Sequence, residues 1–412
     1  MSATTTDRAQ ASLNVAHRAP AASGSRGAGS APLRSTEELR ALATATGIPV
    51  GDTQAGKGAI NFDHPSAVGG VGSTGCDSGN HIADKADLII GVGTRYSDFT
   101  TASKTQFKNP DVKFVNINVT PFDAAKESAE MVVADAREAL AALKEALADY
   151  HVEAAYSEEI AAEKEAWLKA TERCYHLDHG PLPAQTEVFG ALNELMGEED
   201  VVINAAGSMP GDLQALWQAR SPLQYHVEYA FSCMGYEVPA AMGVKLARPE
   251  VEVVSIVGDG TYQMLPMELA TVVQENIKVI YVLLQNYGFC SIGALSESRG
   301  SQRFGTKYRR RGEGSHLADE QVIDGVDIAA NARSWGLDVL EVHTIAEFKE
   351  AYRQAEASDR PTMIHIETDL YGPNPPGSSW WDVPVSGVSE LESTQRAYEE
   401  YLRDRKPQRH YL

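Results

Sequence analysis

The sequence predicts an α/β protein: two doubly wound parallel-sheet domains in one chain of 412 residues. Three observations carry this. Val253–Asn286 reads as one strand–turn–helix–strand unit. Short apolar runs alternate with amphipathic segments over residues 36–150, and they do so again over 184–370. Such alternation favours parallel strands with helical crossovers on both faces. A hydrophobic content of 43% is ample for packed cores, and the length allows more than one domain.

Taken in order, residues 1–35 are built mainly from Ala, Ser, Thr, Gly and Arg, with Leu13 and Val15 among few aliphatics. They are expected to form a disordered leader. Their Arg-rich composition also resembles a transit peptide, without a convincing amphipathic period. Thr36–Thr46 has helix signals: Ser35 or Thr36 as cap, Glu38 in the first turn, Gly47 as stop. Strands are expected at 48–50, 86–92, 113–119 and 131–134, with a helix over 136–148. Residues 51–79, rich in Gly and polar side chains, read as a loop. Gly91-Val-Gly-Thr-Arg95 lacks a full GxGxxG and reads as a tight turn without a ligand. Residues 151–183 form a helical linker. His176 and His179 within it are two potential ligands, too few for a zinc site.

The second domain, 184–370, is expected to hold helices at 185–196, 328–335 and 345–357. Its strands are expected at 201–204, 253–257, 277–284, 339–342 and 362–367. Residues 302–323 carry five cations, Arg303, Lys307, Arg309, Arg310 and Arg311, and read either as a solvated loop or as a loop facing substrate. The tail, 371–412, contains Trp380-Trp381, which bury a large area only if they dock on the body or on a neighbouring subunit.

A net charge of −21 argues against a nucleic-acid partner and gives no sign of binding an anionic membrane. No apolar run approaches the length of a membrane span. Four scattered cysteines without a CxxC fit a reducing cytoplasm.

The chemistry is concentrated in the Val253–Asn286 unit. Val253–Val257 is β-branched except at Ser255, Gly258-Asp259-Gly260 ends it, and Pro266 opens the helical segment. Parallel neighbours put Asp259 and Asn286 at one edge of the sheet, where open α/β sheets bind ligands. A carboxylate and an amide oxygen, with a nearby backbone carbonyl, suit a Mg²⁺ ion that bridges substrate phosphates. The glycines permit close backbone approach. Gly-Asp-Gly by itself is also common turn chemistry.

GDG followed by Asn286 resembles the thiamine diphosphate motif. Ser232-Cys-Met-Gly-Tyr236 resembles the segment that grips the aminopyrimidine ring in that family. The longer phrases GIPVGDTQAGKGA (47–59), SIGALSESRGSQRFGTKYR (291–309) and WWDVPVSGVSEL (380–391) extend the likeness along most of the chain. The sequence thus resembles thiamine diphosphate-dependent enzymes of the acetolactate synthase–pyruvate decarboxylase superfamily. Within them it is most similar to the trihydroxycyclohexane-dione hydrolases of myo-inositol catabolism. By that resemblance 36–150 is the central domain and 184–370 the thiamine diphosphate/Mg-binding domain. The cofactor is implied at Ser232, Met234, Gly258, Asp259, Gly260, Thr261 and Asn286, and Mg²⁺ on Asp259, Asn286 and the carbonyl of Gly288.

The activity implied is hydrolytic opening of trihydroxycyclohexane-1,2-dione to 5-deoxyglucuronate, with polar side chains between Ser291 and Arg309 holding the hydroxyls. The family's first, pyrimidine-binding domain supplies the glutamate that activates the cofactor. No residue here matches that glutamate, so the catalytic residue is unassigned, and a homo-oligomer or a separate pyrimidine-domain chain is the implied partner. An inactive cofactor-binding remnant, or an acetolactate synthase-like carboligase or decarboxylase, remain the competing readings.

Overall fold

The computed structural model describes residues 11–15, 35–228, 231–303, 305–309 and 326–409. Each of the two domains is a six-stranded parallel sheet flanked by helices. The first contains β1 (Ala11–Val15), β2 (Val50–Asp52), β3 (Ala67–Gly70), β4 (Leu88–Val92), β5 (Lys113–Asn118) and β6 (Glu130–Val133). Its spatial order is β3-β2-β1-β4-β5-β6. The second contains β7 (Val201–Asn204), β8 (Tyr225–Val227), β9 (Val253–Gly258), β10 (Ile280–Gln285), β11 (Asp338–Val342) and β12 (Thr362–Glu367), in the order β11-β12-β10-β9-β7-β8.

The first sheet corrects the expected leader. Ala11–Val15 is a central strand, parallel to β4 over its whole length and to β2 from Leu13. A five-residue segment with few large side chains carries no visible strand signal. It becomes a strand because both neighbours offer unpaired backbone groups.

The expected loop over 51–79 is also corrected. It contains β3 and the start of the helix Asp77–Lys85. Its glycines serve contact as well as turning. A Cβ on Gly79 would lie 2.3 Å from the carbonyl oxygen of Gly70, so only glycine lets this helix sit so close to the strand.

The remaining helices fall near their expected places. Thr36–Thr46, Ile328–Trp335 and Ile345–Ala357 coincide with the expected spans. The linker helix Ala154–Tyr175 touches both domains. Trp167 Nε1 donates to the carbonyl of Ala215, and the Tyr175 hydroxyl donates to that of Leu216. His176 and His179 do not converge: the first lies 3.2 Å from Glu172 and the second 2.8 Å from Asp369. In the second domain β8 was not foreseen, being only three residues long.

The tail docks on the first domain. Trp381 Nε1 donates to Asp98 Oδ2 at 2.7 Å, and its ring lies 4.9 Å from that of Phe99. The Asn80 amide donates to Gly377 O at 2.8 Å, and Ser379 Oγ donates to Gln106 Oε1 at 2.9 Å. The tail thus ties the first domain to the mouth of the second. No helix of the described residues is long and apolar enough to cross a membrane.

Candidate active site

β9 and β10 are parallel neighbours in register, with Gly258 opposite Leu284. Their residues are buried from Val253 to Val257 and from Ile280 to Leu284, which fixes the strands firmly in the sheet. The chain leaves β9 straight into the one-turn helix Asp259–Tyr262. It leaves β10 at Asn286. Two polar residues therefore emerge together beside the break in strand order between β7 and β9, the kind of crevice in which open sheets bind ligands.

Asp259 is 1% exposed. Its Oδ1 accepts the Gly260 N–H at 2.8 Å; its Oδ2 accepts those of Asn286 at 3.3 Å and Gly288 at 3.2 Å. Burial pushes this carboxyl up to about 6 despite those bonds. A cation at the same oxygens would act in the opposite direction and keep it ionised. Asn286 Oδ1 is buried without a partner among the described residues. A buried amide oxygen left unmatched is costly, and a hard cation would satisfy it.

The Gly288 carbonyl is close by. A Cβ on Gly260 would lie 3.4 Å from that oxygen and 2.9 Å from the Phe289 ring, so Gly260 is needed for this approach. Asp259, Asn286 and Gly288 thus fit Mg²⁺ as a donor set of carboxylate, amide and carbonyl oxygens. Among the described residues no group of three His, Cys, Asp or Glu converges as an alternative metal site.

Ser232 and Met234 join the same place from the segment before the helix Glu237–Ala247. Glu237, fully buried, locks that segment to the GDG turn. The Gly235 N–H donates to Thr261 Oγ1 at 2.7 Å and to Glu237 Oε2 at 3.1 Å, and Thr261 Oγ1 donates to Glu237 Oε2 at 3.0 Å. Burial raises the Glu237 carboxyl above the usual range. The Thr261 hydroxyl is therefore engaged in fastening the two motifs together.

All the predicted residues, Ser232, Met234, Gly258, Asp259, Gly260, Thr261, Asn286 and Gly288, line one cavity of about 220 Å³. Gln185, Ser208, Met209 and Cys290 line it too, and no motif in the sequence marks them. They arrive from the helices Gln185–Leu195, Met209–Leu216 and Cys290–Ser298, or from the turn before one, and only the fold converges them. Of the expected hydroxyl-binding stretch, Ser291 lines the cavity. Arg303 instead pairs with Glu297 at 2.8 Å and lies over the Tyr371 ring at 4.6 Å. Residues 304 and 310–323 of the cationic stretch lie outside the described residues.

Two parallel-sheet domains with a hard-cation cradle beside a cavity fit a protein that binds a diphosphate cofactor through a divalent cation. The chain belongs to the thiamine pyrophosphate enzymes: the family's central domain matches residues 9–143, and its C-terminal TPP binding domain matches residues 205–366. The first match includes β1, in agreement with its place in the sheet. Among curated relatives, the chain is 42% identical to 3D-(3,5/4)-trihydroxycyclohexane-1,2-dione hydrolase 2 of Bacillus cereus (strain ZK / E33L), aligned over 399 residues. It is 41% identical to 3D-(3,5/4)-trihydroxycyclohexane-1,2-dione hydrolase of Bacillus cereus (strain AH820), and 40% identical to that of Bacillus anthracis (strain A0248). Each alignment covers 91% of this chain and 62% of the relative, so the chain spans less than two thirds of the relatives' length.

Proposed function

We propose that the chain works in a thiamine diphosphate-dependent hydrolase that opens trihydroxycyclohexane-1,2-dione between its two carbonyl carbons. The observation that carries this is the Asp259–Asn286–Gly288 cradle. The relatives' activity as trihydroxycyclohexane-1,2-dione hydrolases then supplies the reaction. Bound thiamine diphosphate supplies a nucleophilic thiazolium carbon and an electron sink for the breaking C–C bond. The chain's own residues bind and orient. Asp259, Asn286 and Gly288 O would hold Mg²⁺ and through it the diphosphate. Met234, kept in place by the Glu237–Thr261 lock, would support the cofactor's bend. Ser291, at the edge of the cofactor cavity, is placed to meet a substrate hydroxyl.

The reading includes a partner. Two carboxylates beside the segment of Ser232 and Met234 are already engaged: Glu237 holds Thr261, and Glu228 accepts the N–H groups of Phe231 and Cys233. Neither is assigned the role of activating the cofactor. Phe231 is 86% exposed, and Met264, Met267 and Ile292 are exposed beside the cofactor segments. This apolar rim supports docking of a pyrimidine-binding domain, from the same polypeptide, a separate chain or a second copy. The cytoplasm is the proposed location, in keeping with four free cysteines.

The test is a substrate comparison with Mg²⁺ and thiamine diphosphate present, with and without a pyrimidine-binding domain. The expected result is ring opening of the dione, with an aldehyde and a carboxylate appearing in equal amounts, and no consumption of pyruvate. Consumption of pyruvate alone would make it a carboligase or decarboxylase. Cofactor binding without turnover of either would make it a non-catalytic binding protein.

A further inference from the structure

A larger cavity, about 490 Å³, adjoins the cofactor cavity and is walled by all three parts of the chain. Gln54 and Thr74 come from the first domain, Ser208 and Asp212 from the second, and Ser378 and Trp380 from the tail. The two cavities share Ser208, Ser232 and Ser291, so a molecule in the larger one would face the cofactor. A third cavity, about 150 Å³, shares Ser208 and Asp212 with the larger one.

Asp212 is anomalous in this wall. It is 9% exposed, and no cation pairs with it among the described residues. The charged or titratable groups around it are Cys174, Cys290, Arg303, Asp369, Arg299 and Glu228. The two arginines are otherwise engaged: Arg303 with Glu297, and Arg299 with the carbonyl of Trp381. Asp212 Oδ2 accepts from the Gln185 amide, which also donates to Ser208 Oγ at 3.1 Å. Among the described residues Asp212 Oδ1 has no protein hydrogen bond. Asp212 also makes no hydrogen bond to Asp259, Asn286 or Gly288.

A buried carboxyl with a single amide partner is a net cost to the fold. Stability does not account for it, whereas proton transfer would. We propose that Asp212, held by Gln185, exchanges a proton with a cyclic polyhydroxylated substrate seated in the larger cavity. The inference rests on the hydrolase reading for its reaction. In its acid form Asp212 would give a proton to the carbon that keeps the electron pair of the broken C–C bond, for which bound thiamine diphosphate would be the sink; that carbon becomes the aldehyde C–H. The resulting carboxylate takes a proton from the water whose oxygen bonds to the acyl carbon. Asp212 is then an acid again, and one water has been added across one C–C bond. Burial pushes this carboxyl up to about 7, so both forms are accessible near neutral pH.

The test is a calorimetric titration with myo-inositol as the probe, near pH 7, in two buffers of different ionisation enthalpy. It is run on the chain with and without thiamine diphosphate and Mg²⁺. The expected result is that the wild-type chain takes up or releases part of a proton per polyol bound. Asp212→Asn is expected to keep the affinity within about tenfold and to exchange no proton. Absence of polyol binding, absence of proton exchange in the wild type, or unchanged exchange in the variant would each overturn the proposal. Tryptophan fluorescence on cofactor addition is read separately. Failure of cofactor binding there would sink the hydrolase reading, while the polyol titration without cofactor still decides the role of Asp212.

Discussion

The ends of β4 and β9 are matched positions in two similar sheets, and they differ in what they leave unsatisfied. Past β4, most polar groups satisfy one another. The Tyr96 hydroxyl donates to Asn116 Oδ1 at 2.7 Å, the Asn118 amide donates to Thr94 O at 3.1 Å, and Lys126 Nζ donates to Arg95 O at 2.6 Å. A Cβ on Gly91 would meet the Tyr96 hydroxyl at 2.3 Å, so that corner is filled. Past β9 and its neighbour β10, Asn286 Oδ1 lacks a partner among the described residues, the Asp259 carboxyl is raised by burial, and a cavity opens. Parallel topology supplies a crevice at both places. Among the described residues the second joins its unmatched Asn286 oxygen and raised Asp259 carboxyl to an open cavity, whereas the first, where Glu127 Oε2 is also unmatched, is filled; binding capacity follows from this combination more than from the fold.

The largest effect should come from removing that ligand set. Asp259→Ala is expected to weaken Mg²⁺-dependent thiamine diphosphate binding by ~100-fold or more, measured by tryptophan quenching. A comparable loss from Arg95→Ala would erase the distinction between the two strand ends. Next is Gly260→Ala, whose Cβ would press on the Phe289 ring at 2.9 Å. It should cost ~1–3 kcal/mol in denaturant unfolding, as overpacking does, and also weaken cofactor binding. Tyr96→Phe sharpens the contrast from the other side. It leaves the buried Asn116 Oδ1 unmatched and should cost ~1–3 kcal/mol, with cofactor affinity unchanged.

The smallest effect concerns pH. Asp212 is raised to about 7 in the folded chain from an ordinary value of 3.8. The folded state therefore binds the proton more tightly than the unfolded state. The stability associated with the acid form is fully present below the unfolded value and is lost as pH rises through about 7. Asp212→Asn avoids that loss. The variant should melt above the wild type at pH 8, by a margin that shrinks at pH 5. An equal margin at both pH values would mean that Asp212 is not held as an acid.

The sequence by itself determined much of the second domain and its cofactor motif. Val253–Asn286 is legible because each signal is local: a β-branched run, a Gly-Asp-Gly turn, an amphipathic helix and a second apolar run. The alternation period already implies that Asp259 and Asn286 share an edge. The spacing of GDG and Asn286, with Met234 upstream, was enough to indicate the cofactor.

What the sequence did not reveal depends on partners far along the chain. Ala11–Val15 looks like part of a leader and becomes a strand through two neighbouring strands. Ala67–Gly70 and Asp77–Lys85 look like loop because glycine, read locally, means flexibility, whereas here it means contact at 2.3 Å. Gln185, Asp212 and Gln54 lie in three separate segments with no motif among them. Tertiary structure alone brought Gln54 and Asp212 to one cavity, bonded Gln185 to Asp212, and left Asp212 buried without a cation among the described residues. The reason is physical: periodicity and turn chemistry act over a few residues, while burial and polar pairing are decided only when distant segments pack.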